Sequence, residues 1–123
     1  MDKAQAIHNF WSSFNIPAYD EFTVPDDAKM PYITYNVSTG PLDGVQNLYA
    51  SLWYKSYSWE EITHKADEIA KIIGEFGFYS VKIDGGYLFI TLPPSFYQRM
   101  DDPSDDSIRR IYITVNAEFA TAY

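Results

Sequence analysis

The sequence predicts an α+β domain: a mainly antiparallel sheet of four to five strands, with a long helix packed on one face and a short helix at the N-terminus. Three features carry this reading. Between Ser58 and Gly77 the apolar residues Ile62, Ala66, Ile69, Ala70, Ile73 and Phe76 recur at intervals of three and four, which is one stripe of an α-helix. Asp84, Gly85 and Gly86 separate two short β-forming runs, and glycine permits the positive φ that a tight hairpin requires. The rest of the apolar content lies in long runs of β-branched and aromatic residues that alternate with polar ones.

Taken in order, Asp2 and Gln5 have the spacing of a capping box, and Ile7, Phe10, Trp11 and Phe14 follow at helical intervals, so a first helix is expected over about 3–14. Asn15, Pro17 and Pro25 break the pattern, and Ala18 to Thr23 between them reads as an edge strand. After the acidic loop at 25–29 come Tyr32, Ile33, Thr34, Tyr35, Asn36 and Val37, a strand. Gly40, Pro41, Asp43 and Gly44 mark a turn before a long strand, 46–57. Alternation puts Leu48, Ala50, Leu52 and Tyr54 on one of its faces and Tyr49, Ser51, Trp53, Lys55 and Tyr57 on the other. A helix covering only one side of the sheet leaves that second aromatic face open.

The long helix is expected to start at Trp59, with Ser58 and Glu61 as its capping box and Gly77 as its stop. Glu61 to Lys65 and Asp67 to Lys71 are acid-before-base pairs one turn apart, each worth ~0.3 kcal/mol on an exposed face. The hairpin strands are Tyr79 to Ile83 and Tyr87 to Leu92, and a last strand runs from Ile108 to Phe119. Between them, 94–107 holds Asp101, Asp102, Asp105 and Asp106 with flanking prolines, and offers little to bury. It reads as a mobile acidic loop.

At 123 residues the chain is long enough for a single core, so residues 1–123 form one domain. A formal net charge of −8 opposes binding that neutralises many phosphates, and no sequence-specific nucleic-acid binding is expected. With no cysteine there is neither a disulfide nor a thiolate metal site. No apolar run approaches the ~18 residues of a membrane span, so no membrane partner is expected.

Nothing in the chain spells out catalysis. His8 and His64 lie off the apolar stripes and have no further ligands at metal-site spacing, which makes them surface histidines. The four aspartates of the acidic loop lack the ligand spacing and the distal glutamate of an EF-hand calcium site. Gly85 and Gly86 sit in a hairpin, not between a strand and a helix, and so do not cradle a phosphate. No serine occupies a nucleophile elbow. The reading is of no enzyme, no catalytic residues, no cofactor and no metal. Trp53, Tyr54, Tyr57 and Trp59 are better explained by a core or an interface than by a ligand pocket.

The string from Met30 through Pro31, Tyr32, Ile33 and Thr34 to Tyr35, the strand ending at Trp53 to Ser58, the helix with Ala66 to Ile69, the glycine hairpin and the final strand with Arg110 to Val115 together resemble the tail-terminator (tail-completion, head-tail joining) proteins of long-tailed bacteriophages. The resemblance runs from about residue 3 to residue 120 and rests on element order and short strings. It implies a non-catalytic α+β subunit made in the host cytoplasm and placed in the virion tail or neck. There a homo-hexameric ring would end the tail tube and contact the tail tube protein and the head-tail connector proteins. Related neck or tail-completion proteins and a small binding module with an aromatic surface are the alternatives. For a ring, the candidate subunit interface is Tyr49, Trp53 and Tyr57 with Arg109 and Arg110, since the arginines, Arg99 included, bracket the acidic loop.

Overall fold

The computed structural model describes residues 1–38, 45–100 and 104–121. The elements run α1 (Lys3–Ser12), β1 (Ala18–Asp20), β2 (Tyr32–Tyr35), β3 (Val45–Lys55), α2 (Glu60–Gly74), β4 (Tyr79–Ile83), β5 (Gly86–Thr91), β6 (Tyr97–Met100) and β7 (Ile108–Thr121). All seven strands belong to one sheet, in the order β1-β2-β3-β7-β5-β4, with β6 pairing to β7 beside that path. Every pairing is antiparallel except β1 with β2. β7 is the spine. β3 runs along one of its edges, while β6 and then β5 share the other.

This corrects the expected fold class. Among the described residues the chain is mostly sheet, seven strands with two helices, and the sheet is curled into a half-barrel; it is not a sheet of four to five strands with one long helix on a face. Two causes can be named. Tyr97–Met100, inside the stretch read as loop, pairs with 110–113 of β7 and adds a strand. The long strands β3 and β7, of 11 and 14 residues, also accumulate the right-handed twist that coils a sheet. The curl shows in what α1 touches: it packs against both β1 and β4, the strands at the two ends of the sheet.

Alternation then sorts the side chains. Leu48, Ala50, Leu52 and Tyr54 of β3 and Ile111, Ile113, Val115, Ala117 and Phe119 of β7 are buried on the inner face. They form one cluster with Ile7, Phe10, Trp11 and Phe14 from the α1 region and Ile62, Ala66, Ile69 and Ile73 from α2. Both helices therefore contribute to the inner side, and α1 leaves the aromatic outer face of β3 uncovered.

The helix ends show how local signals were used. At α1 the Asp2–Gln5 box is made in both directions, at 2.8 and 2.9 Å. At α2 the expected Ser58–Glu61 box is not made; the Ser58 hydroxyl instead accepts the Glu60 N–H at 3.1 Å, and Trp59 occupies the cap. Lys65 pairs with Glu68 at 2.7 Å, not with Glu61, and donates to the Phe14 carbonyl at 3.1 Å, which ties the chain leaving α1 to α2. The helix ends at Gly74, so Phe76 falls outside the stripe and is 80% exposed. His8 is exposed, and its Nδ1 lies 2.7 Å from the Tyr35 hydroxyl. Burial, and then the nearby Asp20, raise the pKa of that hydroxyl.

Candidate functional site

The outer face of β2, β3 and β7 carries a connected set of polar and aromatic side chains. Register places Trp53 opposite Arg110 and Ser51 opposite Tyr112. The Trp53 indole N–H donates to the Thr34 hydroxyl at 2.8 Å, which fixes the ring, and the Arg110 guanidinium lies 4.7 Å from its centroid. Arg110 Nε donates to the buried Ser51 hydroxyl at 3.0 Å, and the guanidinium also approaches Tyr112, at 6.0 Å. Tyr49 stacks on Tyr112 with centroids 5.6 Å apart. Tyr49, Ser51, Arg110 and Tyr112, with Glu21, Thr34 and Asn36, line a cavity of about 210 Å³. Burial raises the Tyr112 pKa, Tyr49 and Glu21 add to the rise, and Arg110 opposes it.

A second stack lies at the same end of the sheet but on the helix side. Trp59, at the start of α2, has Arg99 at 4.9 Å and Arg109 at 5.3 Å from its ring. Arg109 is held by carbonyls: it donates to Tyr57 at 2.8 Å, Asp106 at 2.7 Å and Ile108 at 3.1 Å. Asp105 shapes the turn into β7 by accepting the Ser107 N–H and hydroxyl at 2.8 and 2.6 Å, and those bonds lower its pKa. Asp101 and Asp102 lie outside the described residues.

The five residues expected at an interface thus divide. Tyr49, Trp53 and Arg110 form one patch on the outer face. Tyr57 stands past the end of β3, 78% exposed, and meets Arg109 only through its carbonyl. Sequence reasoning did not place Tyr112 and Arg99 in these stacks, although alternation along β7 puts Tyr112 on the face of Arg110. All three arginines of this acidic chain gather at one end of the sheet, and each lies over a tryptophan. Such stacks are worth roughly 0.5–1 kcal/mol in water and ~2 kcal/mol once desolvated, so covering them strengthens them.

Elsewhere, Tyr54, Glu60, Glu61, His64, Lys65 and Glu68 border an open cleft of about 700 Å³. Burial, then Glu61 and Glu68, raise the Tyr54 pKa. Among the described residues no group of three or more His, Asp or Glu side chains is placed to hold a metal ion, and no helix is long and apolar enough to cross a membrane.

The fold is similar to that of a chain in the solved structure of the virion of a native gene transfer agent particle. The match covers 94% of this chain and 92% of that chain with a TM-score of 0.61, at 14% sequence identity. The likeness is therefore one of fold. No protein-family model matches the sequence, and no curated protein matches it.

Proposed function

We propose that this protein is a non-catalytic structural subunit of a phage-type virion, and that copies of it form a ring that ends the tail tube and joins it to the head. The observation that carries the reading is the likeness of fold, over nearly the full length of both chains, to a virion chain. The open outer face supports it. Tyr49, Trp53, Tyr112 and Arg110 are half-buried in the single subunit, are held in fixed geometry, and belong to the residue types that dominate protein interfaces. The ring's partners are then the tail tube protein on one side and the head-tail connector proteins on the other. A net charge of −8 suits a subunit past which DNA must slide, because like charge keeps phosphates from binding in the lumen.

Light scattering behind a sizing column tests the self-association. The expected mass is about six times the 14.2 kDa subunit. A mass of one subunit at every concentration would favour a monomeric binding module instead.

A further inference from the structure

At the other end of β7 lies a second exposed aromatic patch. The Phe78 ring meets Phe89 edge-on at 5.7 Å, and Tyr87 stacks on Phe89 at 5.9 Å. Phe76, Phe78 and Tyr87 are 80%, 49% and 45% exposed. Phe76 and Phe78 border a hollow of about 370 Å³ together with Ile72 and Glu75. On the same face Glu118 stands opposite Phe89, and Lys82 opposite Tyr87. Leaving such a patch in water costs about 25 cal/mol for each Å² of apolar surface, and an isolated subunit gains nothing from it.

We propose that the two patches are the two halves of one contact between copies of this chain: the arginine–tryptophan end of one subunit seats on the aromatic hairpin face of the next. Their chemistry is complementary. Guanidinium groups placed over indoles are presented to aromatic rings and to the exposed carboxylates of Glu75 and Glu118, the partners that arginine takes best. The three arginines are also the concentrated positive charge of a chain whose net charge is −8, so an acidic second copy is drawn to them. Arg110 and Glu118 lie eight residues apart on β7, roughly 26 Å at ~3.3 Å per residue, so the patches do not overlap. We take the contact to be heterologous, made head to tail, so that the two end subunits of an open assembly keep a free patch until a ring closes. The inference rests on the self-association reading above and adds which surfaces meet.

The test uses two variants of the full chain. Arg99→Glu with Arg110→Glu removes one half of the contact, and Phe76→Ser with Phe78→Ser removes the other; circular dichroism checks the fold of each. Each variant alone is expected to stay at the mass of one subunit, with self-association weakened about a hundredfold or more. Their equimolar mixture is expected to give a species of two subunits and nothing larger, because one live contact remains. If wild type assembles and the mixture does not pair, the matching of these patches is wrong while self-association stands. Variants that assemble as wild type does would overturn the choice of patches. A wild type and a mixture that both remain single subunits would overturn both readings. Should the arginine variant lose its fold, Arg99→Glu alone, at an exposed position, takes its place.

Discussion

An Ile69→Asp protein is expected to be largely unfolded at room temperature, or to melt at least 15 °C below wild type. Ile69 is fully buried on α2 among core residues from the sheet and from α1. A carboxylate there loses its hydration without gaining a partner, and the isoleucine packing is lost as well; together these cost on the order of 5 kcal/mol. Domains of this size are stable by about 5–15 kcal/mol, so one substitution removes much or all of the margin. Thermal unfolding followed by circular dichroism measures it. Ile69→Val, which keeps the site apolar, should cost only about 1 kcal/mol. An unchanged melting temperature for Ile69→Asp would mean that α2 does not pack on the inner side of the sheet.

Gly86→Ala should be the next most damaging change, for a different reason. A Cβ at this position would lie 1.9 Å from the Ala120 carbonyl oxygen, so β5 and β7 would have to move apart where the hairpin joins the spine of the sheet. The obstacle is backbone, which cannot rotate away, and about 3 kcal/mol is expected. Gly77→Ala makes a useful contrast. Nothing lies within 4 Å of its added Cβ, but φ is +86°, so only local strain of about 1–2 kcal/mol should appear. Urea titrations of the two variants separate these effects. Equal costs would mean that the close approach at Gly86 is relieved by a small shift.

Local signals were legible where one segment decides its own conformation. The stripe of Ile62, Ala66, Ile69 and Ile73, the Asp2–Gln5 box and the turn at Asp84 and Gly85 each specify their element through periodicity, a cap or a permitted φ. The number of strands and the curl were not legible. Tyr97–Met100 becomes a strand because β7 offers it an edge beside Ile111 and Ile113, which is a tertiary cause. The place of α1 across both ends of the sheet depends on a closure that no window of sequence contains. Phe76 continued the helical period past the point where the helix stops, and so was assigned to the core when it belongs to a surface patch.

The candidate surface was legible to the same degree. Period-two alternation put Tyr49 and Trp53 on the face opposite Leu48 and Leu52, and the same rule applied to β7 places Arg110 and Tyr112 beside them. Arg109 and Tyr57 fall elsewhere because Arg109 takes the other parity and Tyr57 lies beyond the last paired residue of β3. The hairpin patch is assembled from the chain after α2 and from β4 and β5, and only the sheet order brings Phe78 against Phe89.

Virions purified on a density gradient from cells that make this protein give the most direct test of its placement in a phage-type particle. Quantitative mass spectrometry across the gradient is expected to find its peptides banding with the particles at a small fixed number of copies, about six per tail, and gold-labelled antibody is expected to mark the junction of tail and head. Abundant protein in the lysate with none in the particle band would contradict the account.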